Sequence, residues 1–306
     1  INANGPTLKI GEGFADISSV TEARCASPTG HPIAYDLLSR ANERPEIAEA
    51  LVQSIAENMA ADHSSGNIRR TYQNRFPGLD STISELVQSQ FGKDQPILLH
   101  DVGASNAITS YDLFQAVRHL TNVSMIASDF QTTIHSVELA DGWRIILGAN
   151  QAIIQIVGPN TVLPVPPKRR FRSAPLVWWK TRRLEKTLGP LAAEIRNGNA
   201  HGVVCEIDLF HQKARKLASE EPRFELHTVD LTKLRPHSTD VLRAMNVLMM
   251  WPKDRLRVAY RSLTAAVRPG GLLILGRGGL RLRRRSRYSI FQAHPTGLKL
   301  LLEEGG

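Results

Sequence analysis

The sequence predicts an α/β fold: a doubly wound, mostly parallel sheet with an N-terminal helical part and an inserted β-meander. Two patterns carry this prediction. From residue 97 onward, short apolar runs alternate with amphipathic stretches, which is typical of parallel strands joined through helices. Between residues 130 and 201, strand-like runs are separated by Asp141-Gly142 and by Gly148-Ala149-Asn150, which indicates an antiparallel meander.

Length and composition indicate an ordinary globular protein with a full hydrophobic core. The chain has 306 residues, of which 42% are hydrophobic. We expect a tail and helical region over residues 1–95, and a main domain over 96–306 that carries the insert at 130–201. The net charge of +9 and the pI near 9.8 are compatible with a nucleic-acid partner, but no recognition motif accompanies them.

Several classes of protein are disfavoured by what the sequence contains. Two cysteines give no disulfide framework, and Cys205, in an apolar run, is expected to be a buried thiol. The ten histidines lack the spacing of metal ligands, so we expect no metal. No run of eighteen apolar residues occurs and no signal-peptide layout opens the chain, so we expect no membrane span and a cytoplasmic location.

Helical periodicity marks four further segments before the sheet resumes. Residues 46–60 carry an apolar stripe, and DSTISELVQSQF (80–91) predicts a second helix with Asp80 or Ser81 as its N-cap. Residues 110–120 predict a third helix. Apolar spacing over 184–195 predicts a fourth, which Gly189-Pro190 should break or kink. Just before it, Trp178 and Trp179 lie among basic residues, and we expect them to cover a core edge.

The predicted strands of the main sheet follow one another along the chain. They are residues 97–102, 123–129, 203–208, 224–230, 239–245 and, after the turn Arg268-Pro269-Gly270-Gly271, the apolar run at 272–276. Helices are expected at 211–218 and 254–267 between the later strands.

The turn after the first of these strands suggests a ligand. Gly103, Ala104 and Ser105 are small enough to let a ligand approach the backbone, and the following helix offers N–H groups at its N-terminus. In open parallel sheets, ligands bind at this end of the strands. Asp129 ends the next strand, where a carboxylate can accept hydrogen bonds from both hydroxyls of a ribose. A nucleoside-like ligand is implied.

Three segments resemble class I S-adenosylmethionine-dependent methyltransferases. DVGASNA (101–107) resembles their acid-x-Gly-x-Gly-x-Gly signature, although the second and third glycines are replaced by Ser105 and Ala107. TDVLRAMNVL (239–248) looks like their fourth strand, and VRPGGLLILGR (267–277) is similar to the turn and strand that follow. The resemblance in the order and spacing of the three segments extends over residues 97–277.

The resemblance implies S-adenosylmethionine as the cofactor and a role for each matching residue. Asp101 would orient the turn or the methionine amino group, and Gly103, Ala104 and Ser105 would lie under the methionine and ribose portions. Asp129 would hold the ribose hydroxyls, with Asp208 as a rival. The adenine edge would meet Asp230 and Leu231, and the methionine end would face Asn246. We expect Gly103→Val to abolish cofactor binding while leaving the protein folded.

The function so implied is methyl transfer to an O or N nucleophile of a small-molecule substrate. No catalytic residue is assigned, because methyl transfer from a sulfonium depends mostly on alignment and desolvation. The segment AMNVLMMWP lacks the Asn-Pro-Pro-aromatic element associated with methylation of adenine or glutamine amino groups. Two alternatives stay open: a non-catalytic Rossmann-like protein that binds a protein or nucleic acid through its basic insert, and a nicotinamide-dependent dehydrogenase, disfavoured by the missing glycines.

Overall fold

The computed structural model describes most of the chain from residue 71 onward and two short strands before it. The described residues are 7–10, 13–16, 71, 73–92, 94–139, 142–148, 151–158, 161–165, 174–199, 202–248, 251–277 and 286–305. The predicted helix at 46–60 lies outside them. Two compact units result, one containing residues 71–132 and 210–306 and the other containing residues 133–209 together with the two N-terminal strands.

The first unit is built on a seven-stranded sheet. Its strands are β3 (Ile97–Val102), β4 (Val123–Asp129), β10 (Phe224–Thr228), β11 (Thr239–Met245), β12 (Val267–Arg277), β13 (Arg287–His294) and β14 (Gly297–Glu304). They lie in the order β10-β4-β3-β11-β12-β13-β14, in which the first five are mutually parallel and β13 and β14 are added antiparallel at one side. The predicted doubly wound, mostly parallel sheet is confirmed.

Helices cover both faces of this sheet. They are α1 (Pro77–Gln90), α2 (Ile108–Val117), α4 (Gln212–Glu220) and α5 (Lys253–Ala266). One face packs residues of α1, α2 and α4 against the strands, with Ile83, Phe114 and Leu217 among them. The other face packs α5 through Ala259 and Leu263. Burial of these apolar side chains, worth about 1.5 to 3 kcal/mol for each large one, holds the layers together.

The second unit contains the predicted meander. Its strands β5 (Thr133–Glu138), β6 (Arg144–Leu147), β7 (Ile153–Gly158) and β8 (Thr161–Pro164) pair antiparallel in sequence order. The helix α3 (Ala174–Arg196) continues through Gly189-Pro190, so of the predicted break or kink the break does not occur. Pro190 is exposed, so water can satisfy the carbonyl group whose helical partner the proline removes.

The placement of residues 203–208 was wrongly predicted. They form a strand, β9 (Val203–Asp208), but β9 pairs antiparallel with β5 and joins the five-stranded sheet β8-β7-β6-β5-β9. The second strand of the parallel sheet is therefore β4. Cys205, expected to be buried, is half-buried. The short strands β1 (Thr7–Ile10) and β2 (Gly13–Asp16) pair antiparallel with each other.

The start of α1 also differs from the prediction. The helix begins at Pro77, five residues earlier than a cap at Ser81 and four earlier than a cap at Asp80 would require, because proline suits the first helical position. Asp80 then lies inside the first turn and is buried. Instead of capping the helix, its carboxylate accepts a 2.8 Å hydrogen bond from Nη1 of Arg243 on β11.

Arg243 is the centre of a buried charge cluster. Its guanidinium donates to both oxygens of Asp101, at 2.9 and 2.6 Å, and to the carbonyl oxygen of Thr109, at 2.9 Å. Burial alone would lower the pKa of Arg243, but Asp101 and Asp80 raise it above its ordinary value. Asp112 adds a further negative charge near the cluster. The arginine thus joins β11 to β3, α1 and α2.

Burial of this cluster also acts on its carboxylates. Burial raises the pKa of Asp80 to about 7, against the attraction of Arg243. Burial raises the pKa of Asp112 as well. Since the folded protein then holds the Asp80 proton more tightly than the unfolded chain, Asp80 should weaken stability as the pH rises from about 4 to about 7.

We expect Asp80→Asn to remove this dependence. The amide oxygen can still accept from Arg243 but cannot ionise, so the variant should gain stability relative to wild type as the pH rises, by up to about 1.4 kcal/mol per pH unit. Urea unfolding from pH 4 to 8 would measure the difference, with the exposed Asp94→Asn as a control for loss of one carboxylate. A wild-type-to-variant difference that does not change with pH would contradict the buried-charge account.

Candidate functional site

The order in which strands are added to the parallel sheet reverses at β3. Strands β4 and β10 are added on one side of β3, and β11 and β12 on the other. In doubly wound sheets this switch point leaves a crevice beyond the carboxyl ends of the strands, where ligands bind. Except for Asp208, the predicted site residues lie at this edge, at the ends of β3, β4, β10 and β11 or just after them.

The turn between β3 and α2 has a backbone typical of glycine. The φ angles are +69° at Gly103, +60° at Ser105 and +60° at Ala107. Non-glycine residues in this left-handed region are strained by roughly 1–2 kcal/mol each. All three positions of the predicted glycine signature therefore have positive φ angles, although two of them are not glycine.

Asp129 fixes this turn to the end of β4. Its Oδ2 atom accepts a 2.8 Å hydrogen bond from the amide of Ser105, and its Oδ1 atom accepts a 3.1 Å hydrogen bond from the amide of Gln131. The amide of Ala104 donates to the carbonyl oxygen of Ser128 at 2.9 Å. Since each carboxylate oxygen can accept more than one hydrogen bond, Asp129 can hold the turn and still meet a hydroxyl group.

Gly103 is required by a close approach as well as by its φ angle. A Cβ atom placed on Gly103 would lie 2.5 Å from Cγ2 of Val247, which follows β11. This argues against the expectation that Gly103→Val would leave the protein folded, because the branched side chain would clash with Val247 and strain the backbone. The same contact places the segment after β11 directly beside the turn.

Asp101 contacts the cluster beneath the turn. Besides the two bonds from Arg243, its Oδ2 accepts a 2.5 Å hydrogen bond from the hydroxyl of Ser110 on α2. Asp101 is 3% exposed. Of its two implied roles, these contacts favour orientation of the turn and of α2 over contact with a methionine amino group.

The N-terminus of α2 is partly occupied by its own chain. The Oδ1 atom of Asn106 accepts a 3.1 Å hydrogen bond from the amide of Ile108, one of the N–H groups expected to face a ligand. The Asn106 carbonyl oxygen in turn accepts from the amide of His211, just before α4. The turn is thereby held on its α4 side too.

The remaining predicted residues lie along the same edge. Asp230 follows β10, and its Oδ1 accepts from the amide and the hydroxyl of Thr232, at 2.9 and 2.7 Å. Burial tends to raise the pKa of Asp230, but these hydrogen bonds lower it overall. Leu231 is buried against the α5 side of the sheet. Asn246 has a φ of +62° and its amide donates to the carbonyl oxygen of Gly276.

Asp208 belongs to the other unit. It ends β9 in the five-stranded sheet, where its backbone lies opposite Thr133. Asp129, by contrast, ends the strand that pairs with β3.

Sequence reasoning missed two supports of the site. Arg243 could have been found as an arginine inside the apolar strand VLRAM, since a buried charge needs partners on neighbouring elements. The second is a 2.8 Å hydrogen bond between Nε2 of His100 and the hydroxyl of Ser128, which links the ends of β3 and β4. Burial lowers the pKa of His100 to about 4, so the ring is neutral near pH 7.

Comparison with known proteins gives distant likenesses only. No model of a known protein family matches the chain, and no curated protein matches it. Among solved structures, the chain is similar to the magnesium protoporphyrin IX methyltransferase of Synechocystis PCC 6803 with bound S-adenosylmethionine, at 14% identity over 65% of this chain and 57% of that chain, with a TM-score of 0.32.

Two further structures give similar values. The CMeT domain of the citrinin polyketide synthase has 14% identity, over 76% of this chain and 40% of that chain, with a TM-score of 0.38. The CurJ carbon methyltransferase has 12% identity, over 79% and 48%, with a TM-score of 0.35. The chain thus spans about half the length of these proteins, and similarity this low carries no conclusion about activity.

Within the described ranges, no helix is long and apolar enough to cross a membrane. Nor do the residues described there include a group of three or more His, Cys, Asp or Glu side chains that could hold a metal ion.

We expect Ser105→Gly to stabilise the protein. Relief of the left-handed strain, roughly 1–2 kcal/mol, should exceed the added flexibility of the unfolded chain, about 0.5–1 kcal/mol, for a net gain of about 0.5–1 kcal/mol in free energy of unfolding. The matched control is Ser81→Gly on the exposed side of α1, where the same change should cost up to about 1 kcal/mol. Chemical denaturation measures both, and a loss of stability in both variants would argue against strain at Ser105.

Proposed function

We propose that this chain is an S-adenosylmethionine-dependent methyltransferase that moves a methyl group to an O or N nucleophile of a small molecule. The observation that carries the proposal is the turn after β3. It keeps glycine-type φ angles at Gly103, Ser105 and Ala107, and it is tied by its backbone to the acid that ends the next strand. A turn of this shape beside a strand-end carboxylate suits a nucleoside with an extended polar tail.

The proposed contacts follow the order of the strands. Asp129 would accept hydrogen bonds from the ribose hydroxyls, and the backbone of Gly103 to Ser105 would approach the ribose and methionine portions. Asp230 and Leu231, after β10, would border the adenine. Asn246, after β11, would face the methionine end. Asp101 would act beneath the turn, through Arg243 and Ser110, rather than on the ligand.

The chemistry asks the chain mainly to align and desolvate. When bound, the cofactor supplies a methyl carbon attached to a positively charged sulfur, and the carbon–sulfur bond breaks as the bond to the acceptor forms. The chain's own task is to hold that carbon in line with the acceptor atom and to exclude water. A general base is needed only if the acceptor carries a proton, and no residue is assigned to that role.

We also propose a helical N-terminal part over residues 1–95 before a cofactor-binding domain over 96–306 that carries the insert at 130–201. The helix α1 of the first part packs in the same core as the parallel sheet. Helix α1 should therefore be retained in any shortened form of the protein used for binding experiments.

A binding role for the basic insert is the second candidate. On α3, Trp179 is 54% exposed, and the guanidinium of Arg183 lies 5.4 Å from the centre of its ring. The prediction that this tryptophan covers a core edge is thus wrong. An exposed aromatic ring with arginine nearby is a feature of surfaces that bind single-stranded nucleic acid, and such a role needs no methyl transfer.

Calorimetric titration with S-adenosylmethionine, with NAD and with a single-stranded oligonucleotide would separate the candidates. We expect S-adenosylmethionine to bind and NAD not to bind. The dinucleotide needs a glycine-rich turn around its phosphates, and here Ser105 and Ala107 stand in place of two of those glycines. Binding of the oligonucleotide without S-adenosylmethionine would favour the second candidate. Binding of NAD alone would favour a dehydrogenase.

The ribose contact can be tested with matched variants. Asp129→Asn keeps an acceptor for the Ser105 amide but removes the charge, and it should weaken S-adenosylmethionine binding by about tenfold to a hundredfold, since a hydrogen bond to a charged group contributes about 1.5–3 kcal/mol. Asp208→Asn is the control, because Asp208 lies in the five-stranded sheet. Dissociation constants would be compared on variants with unchanged thermal unfolding. A larger loss with Asp208→Asn would overturn the assignment of Asp129.

A further inference from the structure

Two arginines face each other at the end of the β12–β13 pair. Arg277 is the last residue of β12 and Arg287 the first of β13, and their backbones are directly opposite in the antiparallel register. Side chains at opposed positions lie on the same face of a sheet, with Cβ atoms about 4.5–5.5 Å apart. Like charges in this arrangement repel each other and destabilise the pair.

No carboxylate of the described chain forms a direct bond to either arginine that would offset this repulsion. In the ranges that the structure describes, neither guanidinium forms an ion pair or a side-chain hydrogen bond. Two glutamates on β14 are near. Glu304 accepts a hydrogen bond from the hydroxyl of Tyr288, and Glu303 is exposed and bonds to neither arginine. The two guanidiniums therefore lie side by side, and neither has an ion-pair or hydrogen-bond partner among the described residues.

Both arginines line an open groove of about 890 Å³. Its apolar and aromatic lining includes Leu256 and Tyr260 from α5, Leu275 from β12 and Phe291 from β13. The two glutamates, Glu303 and Glu304, also line it, so its charged groups are two arginines and two carboxylates. Tyr260 is 46% exposed, so its ring is available at the surface of the groove. Pockets of about 300–1,000 Å³ with apolar walls and a few charged groups are typical of small-molecule sites.

We propose that this groove binds a small molecule with a carboxylate or phosphate group on an apolar, ring-containing body. Arg277 and Arg287 hold the anionic group, since two guanidiniums can each donate hydrogen bonds to its oxygens. The ring packs between Tyr260, Leu256 and Phe291. The anion also removes the repulsion between the arginines. The proposal does not rest on methyl transfer, although Gly276 of the groove lining accepts a hydrogen bond from the backbone amide of Asn246.

The test uses three probes with one ring system: 2-naphthoate, 2-naphthyl phosphate and the uncharged 2-naphthol. Calorimetry on the full chain, without added cofactor, should show at least one anion binding tenfold or more tightly than 2-naphthol. The tighter of the two anions identifies whether the site prefers a carboxylate or a phosphate. Equal binding of the anions and 2-naphthol, or no binding of any probe, would overturn the proposal.

Variants locate the binding. Arg277→Gln and Arg287→Gln should each weaken binding of the anion by about ten- to a hundredfold and leave 2-naphthol unchanged. The control is Arg257→Gln, an exposed arginine of α5 outside the groove lining, which removes the same charge from the same unit. If Arg257→Gln weakens binding of the anion as much, the attraction comes only from the net charge of the protein, and the proposed site is refuted.

A second measurement does not depend on the affinity of any one probe. Removal of one of two facing like charges should raise the thermal unfolding temperature of Arg287→Gln in the absence of ligand, whereas the tighter-binding anion should raise that temperature in wild type and not in the variant. An Arg287→Gln variant that is less stable than wild type without ligand would show that the arginines do not repel each other, and would count against the proposal.

Discussion

The buried guanidinium of Arg243 is the interaction on which the edge of the parallel sheet depends. It bonds to Asp101 on β3, to Asp80 on α1 and to the backbone of Thr109 on α2, so one side chain of β11 joins three other elements. Removing one partner of such a buried network typically costs about 3–5 kcal/mol, since an uncompensated charge is left inside. The position of the β3–α2 turn relative to β11 is thus set from below by charge and from beside by the contact of Gly103 with Val247.

This arrangement explains how the turn keeps its shape without the usual glycines. Ser105 and Ala107 adopt left-handed conformations that each residue alone disfavours. The cost is offset by bonds that fix the turn on each side: Asp129 to the Ser105 amide, and Asn106 to the amides around α2 and α4. Backbone strain of this kind, maintained by its surroundings, is common where a ligand must approach the chain.

Much of the fold could be predicted because apolar periodicity is local. Apolar residues with strand or helix spacing become buried whichever element packs against them. This was enough to predict the strands at 97–102 and 123–129, the helix α5 and the antiparallel meander. The partner of residues 203–208 could not be predicted, since a short apolar strand fits a parallel or an antiparallel sheet equally well and only tertiary pairing decides. The role of Asp80 was missed for a related reason: its partner, Arg243, lies 163 residues away in sequence. At the site, the position of Gly103 was predictable from the turn after β3, and that of Asp129 from the end of the next strand. The contacts that support these two residues were not predictable.

Hydrogen–deuterium exchange with and without S-adenosylhomocysteine tests the central claim most directly, namely that the strained turn and the end of β4 form the nucleoside site. The account predicts slower exchange in peptides that cover residues 103–107 and 128–131, with no change in peptides that cover 203–208. Ligand-dependent protection confined to 203–208, or none in the turn while calorimetry shows binding, would contradict it.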